Sequence, residues 1–220
     1  MATSSGPADS SGRETAQTLD RGLRLLTLLA ESPNGLTMTE AADQLGVARA
    51  VVYRLAATLT AHGLAHRNRS GRLQLGMAVL QLARRAQPLI ADAAMPALRQ
   101  LAEKAGATAH LTIADGGEAL ALAVVEPSWT QFHVAYRTGS RHPLQRGAAG
   151  RAIIAGRQGE AACVRSAGEL QPGAHGVAAP VLGVEGLDAS VGVVALGPLD
   201  TDEIDPQVIA AAATIAAALT

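Results

Sequence analysis

LTMTEAADQLGVARAVVYRLAATLTAHGLAHRNRSGRLQLG, residues 36–76, is the stretch on which the fold turns. Thr37 and Glu40 stand at the T-x-x-E spacing of a capping box, in which each side chain satisfies a backbone donor left free at a helix start. A short helix over 38–45 is expected from there. Gly46 falls where the chain must turn sharply, a conformation that glycine adopts without steric cost. A second helix is expected over 48–62. On a 3.6-residue repeat Val51, Val52, Leu55, Thr58 and Leu59 share one side. Arg49, Ala50, Tyr53 and Ala57 share the other, with Arg54 at its edge. Ala42, Gly46, Val52 and Leu55 fit the helix-turn-helix pattern of a small inward residue, a turn glycine and two apolar contacts. Residues 64–75 then alternate apolar and polar around Asn68-Arg69-Ser70-Gly71, which predicts a hairpin. The whole reads as a winged helix-turn-helix for double-stranded operator DNA. Its contact candidates are Arg49, Ala50, Tyr53 and Arg54 on the second helix and Arg67, Arg69 and Arg72 on the hairpin. Small residues let a helix sit deep in the major groove, while arginines reach guanine edges or phosphates. The plainer alternative is two packed helices with a surface hairpin. The ordered combination of cap, turn, two-faced helix and basic hairpin favours DNA.

The charge distribution points the same way. The chain has 220 residues and a formal net charge of −1, so its average excludes nothing. Gln44 to Ala91, however, contains seven arginines and no acidic residue. Residues 1–43 carry a net −3 and residues 92–220 a net −5. A basic middle between acidic ends is the footprint of a localised contact with a polyanion. With 17 arginines against a single lysine, arginine usage reflects a compositional bias. The missing carboxylates are the informative feature. Cys163, the lone cysteine, cannot form an internal disulfide and is expected as a small buried residue, with a reactive thiol as the alternative. No signal peptide or membrane-length apolar run is visible, so a cytoplasmic protein without a membrane partner is expected.

In chain order, residues 1–16 are small and polar and are expected to be disordered. Arg13 alone does not make a basic arm. A helix begins at Thr18, with a core stripe of Leu19, Leu23, Leu26 and Ala30 widened by Leu25, Leu28 and Leu29. That stripe is broad enough to meet a second copy of the chain. Residues 76–87 read as a helix closed by Pro88, and 95–104 as another. Strands are expected over 108–114, 119–125 and 131–137, then over 176–182 and 189–198, before a last helix over 202–219 with Ile204, Val208, Ile215 and Leu219 on its apolar side.

Residues 18–76 resemble the DNA-binding domain of the IclR family of bacterial transcription regulators. The resemblance lies in Leu-x-Arg-x-Leu-x-Leu-Leu at Leu19–Leu26, the turn Gly46, Tyr53-Arg54-Leu55, and Gly-Arg-x-x-Leu-Gly at Gly71–Gly76. Ala50-Val51 replace the Ser-Thr common in the family, which changes the operator read. HPLQRGAAGRAIIAG, His142–Gly156, resembles the family's effector-domain signature. The segment after it, GRQGEAACVRSAGELQPGAH, is shorter than the family's. The resemblance implies an α+β protein, with an N-terminal winged helix-turn-helix joined by a helix to a C-terminal GAF-like α/β effector domain with an antiparallel sheet. The implied boundaries are a disordered 1–16, a DNA-binding domain over 17–76, a linker helix over 77–88, and an effector-binding and oligomerisation domain over 89–220, shortened around 156–176.

No catalytic set emerges, and neither an enzyme nor a cofactor nor a metal site is expected. The histidines at 62, 66, 110, 133, 142 and 175 lack metal-ligand spacing. His110 and His133 lie on strand-like runs that could approach each other, though satisfied core or surface histidines are the simpler reading. Gly147-Ala148-Ala149-Gly150 opens a helix whose backbone donors could hold an anion, or serves only packing. By the resemblance, ligand candidates are Trp129, Tyr136, Ala148, Ala149, Pro180, Val194 and Leu196. Trp129 lines a pocket or covers the sheet. Val194 and Leu196 replace the serines of carboxylate-binding members, which implies an apolar effector or none. The expected protein is a homodimeric or tetrameric repressor with a possible small-molecule effector. The alternative is a constitutive DNA-binding module whose second domain only oligomerises.

Overall fold

The computed structural model describes residues 16–130, 134 and 136–220. The expected disorder over residues 1–15, Arg13 and His133 therefore lie outside the described residues, as does most of the strand expected over 131–137. Val134, Tyr136 and Arg137 of that run are not in a strand. The chain divides into two compact units, one ending at Arg84 and one beginning at Arg85.

The first unit holds α1 (Gln17–Ala30), α2 (Met38–Leu45), α3 (Arg49–Ala61) and the antiparallel pair β1 (Ala65–Arg67) and β2 (Leu73–Leu75). Leu36 bridges to Leu73 and adds a third short edge. The capping box is formed in both directions. Thr37 Oγ1 accepts from the Glu40 amide at 3.1 Å, and Glu40 Oε2 accepts from the Thr37 amide at 2.7 Å. Gly46 ends α2 at φ +66°, in the left-handed region. The core joins Leu25, Leu29, Leu36, Met38, Leu45, Val52, Leu55, Leu59 and Leu73.

Two expectations are corrected here. The core stripe of α1 is Gly22, Leu25 and Leu29, while Leu19 and Leu23 are 63% and 55% exposed. Leucines surround most of this helix, so two stripes compete. Packing decides between them: Leu25 and Leu29 join the core with Val52, Leu55 and Leu59 of α3, and Gly22 lies against Leu55 on the same side. On α3, Ala56 takes the inner place and Thr58 is exposed, its hydroxyl donating to the Arg54 carbonyl at 3.1 Å.

Helix α4 (Ala78–Ala105) runs through both Pro88 and Pro96. The expectation of two helices separated at Pro88 is thus overturned. Each proline removes one hydrogen bond to the carbonyl four residues earlier. Arg84, Pro88, Asp92 and Pro96 recur every four residues and are all exposed, so water can serve the carbonyls released.

The second unit contains a six-stranded antiparallel sheet in the order β5 (Arg141–Pro143), β4 (Glu118–Val125), β3 (Thr108–Asp115), β8 (Ala189–Leu196), β7 (Ala174–Val181), β6 (Val164–Ala167). Alternation sends Ala109, Leu111, Ile113, Val177, Ala179, Val191 and Val193 to one face. There they pack with Leu98 and Leu101 of α4 and with Val208 and Ile215 of α6 (Thr201–Leu219). The other face carries Thr108, His110, Thr112, Gly176, Ala178, Ser190 and Val194, and α5 (Gly147–Arg157) covers part of it. Strand β6 lies in the shortened segment, where no strand was expected. Four residues of alternating exposure are too short a signal to stand out from a loop.

Candidate functional site

In the first unit, Arg49, Ala50, Tyr53 and Arg54 are exposed on the side of α3 away from its buried Val52, Leu55 and Leu59. The hairpin is held rigidly beside them. Asn68 Oδ1 accepts from the Ser70 amide at 3.0 Å, the Ser70 hydroxyl at 2.7 Å and the Arg72 amide at 3.0 Å. This ties the turn and leaves Arg67 and Arg69 exposed. The Arg67 guanidinium carbon lies 5.6 Å from the centre of the Tyr53 ring, a cation–π contact that joins the hairpin to α3.

Arg72 has a different place from the other arginines. Its Nη2 donates to Glu40 Oε2 at 2.7 Å and its Nε donates to the Gly35 carbonyl at 2.9 Å. Its guanidinium fixes the hairpin to the start of α2, so the structure makes it a bracing residue of the unit. The backbone hydrogen bond from Thr37, followed by Arg72, holds the Glu40 carboxyl below the usual carboxylate range.

In the second unit, the α5 face of the sheet borders a cavity of about 60 Å³. It brings together Tyr136, Ala148, Ala149 and Val194 from the expected set. The other three expected residues lie elsewhere. Trp129 is 64% exposed, donates from Nε1 to the Glu103 carbonyl at 3.1 Å and covers Gly106 at the end of α4. Leu196 is 59% exposed at the end of β8, and Pro180 packs against Gly156. A one-sided sequence pattern names a face but not which part of it a helix leaves open.

The cavity adds residues that sequence reading did not select: His110, His142, Ser166, Leu170 and Gln171. His110 faces Tyr136 edge-on, with ring centres 5.1 Å apart, and its Nδ1 lies 3.2 Å from Thr112 Oγ1. Burial, aided by nearby His142, pushes the His110 pKa down to about 3, so its ring is neutral at pH 7. Burial raises the Tyr136 pKa, and the neighbouring Thr112 hydroxyl lowers it in part. His142 Nδ1 lies 3.1 Å from the Pro143 carbonyl, which only accepts, so this nitrogen carries the proton. His142 Nε2 then presents a buried lone pair with no partner among the described residues. The signal for both histidines was their position on alternating strand residues of the inward face.

The N-terminus of α5 is occupied from within the chain. Glu169 Oε2 accepts from the Gly147 amide at 2.8 Å, and Glu169 Oε1 accepts from Arg151 Nη1 at 2.6 Å. Arg146 Nη2 donates to the Glu169 carbonyl. Gly147 has φ +76°, a backbone conformation that residues with a side chain rarely adopt, and a Cβ on it would lie 2.6 Å from Leu170 Cδ1. Among the described residues no group of three or more His, Cys, Asp or Glu is arranged to hold a metal ion, and no helix is long and apolar enough to cross a membrane.

Comparison with known proteins agrees with both units. The IclR helix-turn-helix domain model matches residues 18–69, and the bacterial transcriptional regulator IclR C-terminal model matches residues 85–164. The HTH-type transcriptional regulator BhcR of Paracoccus denitrificans is 32% identical over 158 residues, covering 68% of this chain and 53% of BhcR. The transcriptional repressor IclR of Escherichia coli is 27% identical over 144 residues, covering 63% of this chain and 52% of the repressor. In these alignments the chain spans about half the length of the curated relatives it matches. The fold is shared with the IclR transcriptional regulator of Alicyclobacillus acidocaldarius, at a TM-score of 0.53 and 22% identity over 94% of this chain and 100% of that one. It is shared also with an IclR homolog of Microbacterium hydrocarbonoxydans complexed with 4-hydroxybenzoate, at a TM-score of 0.53 and 16% identity over 92% and 98% of the two chains. With both units matched by models of one family, and with the capped two-helix module and hairpin formed as its motifs require, the chain belongs to the IclR family of bacterial transcription regulators.

Proposed function

We propose that the protein is a repressor that binds operator DNA through α3 and the β1–β2 hairpin, and that a small effector bound in the second unit changes its DNA affinity. The observation that carries the DNA reading is the exposed cluster of Arg49, Tyr53, Arg54, Arg67 and Arg69 on two adjoining elements, in a stretch free of carboxylates. Arg49, Ala50, Tyr53 and Arg54 enter the major groove, and Arg67 and Arg69 lie along the phosphates. Relatives named as repressors support the direction of regulation. Fluorescence anisotropy with duplexes from the region upstream of its own gene tests the reading. Affinity is expected to fall steeply with salt, roughly as −0.9 in log–log slope per phosphate neutralised. Absence of salt-dependent binding to any such duplex would sink it.

For the effector, the cavity bounded by Tyr136, His142, Ala148, Ala149 and Val194 is the supporting observation. The homolog complexed with 4-hydroxybenzoate supports a ligand role for this fold. The lining is more polar than Val194 and Leu196 alone suggested, and we infer a ligand with both apolar surface and hydrogen-bonding groups. A second reading, in which this unit serves only assembly, is favoured by the small size of the cavity. A thermal-shift screen separates the two, since a ligand of the folded state must raise its stability as its concentration passes Kd.

A further inference from the structure

We propose that Glu169 is a tethered carboxylate ligand, seated at the N-terminus of α5 so that the cavity is reserved for uncharged molecules. The proposal rests on the reading of the second unit as a ligand-binding domain and concerns what that domain admits.

The geometry is that of a bound acid. One carboxylate oxygen takes the Gly147 amide at 2.8 Å and the other takes Arg151 at 2.6 Å. Backbone donors at a helix start, together with its dipole, favour an anion. Residues of the same loop, Leu170 and Gln171, close one wall of the cavity. The seat adjoins the space left for a ligand. His142 Cε1 lies 3.7 Å from the Cβ position of Gly147, and the Nε2 of this ring, without a partner among the described residues and in a residue only 7% exposed, lines the same cavity. A buried acceptor without a donor is costly unless something completes it. Both arginines at this helix start are engaged by the same loop: Arg151 is paired with Glu169, and Arg146 donates to the Glu169 carbonyl. A free acid must therefore evict Glu169, whereas an uncharged molecule bringing a donor to His142 need not.

Acetate tests this directly, because Glu169→Ala deletes a fragment of acetate's size and charge. Melting temperatures are compared in sodium acetate and sodium chloride at equal ionic strength and pH 7, for the full chain and its Glu169→Ala and Glu169→Gln variants. The unaltered protein is expected to be indifferent to acetate. Glu169→Ala should melt lower and recover by several degrees, with saturation, as acetate rises. Glu169→Gln, whose amide still fills the seat, should respond much less. An unaltered melting temperature in Glu169→Ala, or the same acetate response in all three, overturns the proposal. Amide exchange gives a reading that needs no variant: the Gly147 N–H is protected at pH 7 if Glu169 is seated, and fast exchange there overturns the proposal too. Anisotropy on DNA stays separate, since the seat can fail while operator binding holds, and the reverse.

Discussion

Single side chains divide here into those that face outward for a partner and those that hold the frame. Arg49 stands at the first turn of α3 with its side chain exposed, and under the proposed DNA reading it reads a base edge. Arg67 and Arg69 sit on a hairpin that carries charge but no readable shape. Arg49→Ala should cost about 1–3 kcal/mol on the preferred duplex and flatten discrimination between duplexes. Arg69→Ala should weaken all duplexes alike and lower the salt slope by about one phosphate. Anisotropy across a salt series separates the two patterns, and equal behaviour of both variants would contradict the assignment. His110 makes a different kind of prediction. Its folded pKa of about 3 lies below the ordinary 6.5, so the unfolded chain takes up a proton that the folded chain refuses. Stability from this group is complete above pH 6.5 and declines as pH falls toward 3, at up to about 1.4 kcal/mol per pH unit. Urea midpoints of the second unit between pH 7 and 4.5 should show that decline, and His110→Gln should flatten it. A midpoint independent of pH in the unaltered protein would refute the burial account.

At the scale of elements, α2 is the piece whose start was written most plainly in the chain. Thr37 and Glu40 cap it, and Arg72 reaches across to the same carboxylate. Thr37→Ala should cost about 1 kcal/mol of the first unit's stability, read by chemical denaturation. Because the Glu40 pKa is lowered on folding, its contribution is present above the ordinary carboxylate range and lost as pH falls through the depressed value. Capping was legible because it depends on two residues three apart and on nothing distant. The hairpin was legible for a similar local reason, in the Asn68 turn. The face of α1 was not, since leucines offered two stripes and the choice depended on which of them packs on Val52, Leu55 and Leu59 of α3, residues distant in sequence. Nor was the continuity of α4, because helix-breaking by Pro88 is a local preference that solvent around Arg84 and Asp92 offsets. The pocket lay furthest from view. Tyr136, Ala148, Ala149 and Val194 followed from a resemblance, but His142 and Glu169 meet at Gly147 only through the pairing of β5 with β4 and the turn of the chain after β6.

For the molecule as a whole, the surface it leaves in water argues for a second copy. Leu19 and Leu23 on α1, and Met77, Leu80, Leu82 and Leu89 in and just before α4, are 48–73% exposed. Single exposed leucines are ordinary, but Leu19 and Leu23 stand one turn apart on a helix that already buries a separate stripe, and this face is the one we expect to meet a second copy. A symmetric dimer would also supply the two recognition helices that a palindromic operator needs, spaced by about one turn of DNA, roughly 34 Å. Sedimentation equilibrium should find a dimer or larger at micromolar concentration. Leu19→Glu with Leu23→Glu should shift the population toward monomer and make the melting temperature depend more strongly on protein concentration. Their effect on DNA should exceed that of any one arginine on a full palindrome and nearly vanish on an isolated half-site, because what is lost is the linkage of two weak contacts. A monomer that binds the full palindrome no better than the half-site in the unaltered protein would show instead that these leucines serve something other than pairing.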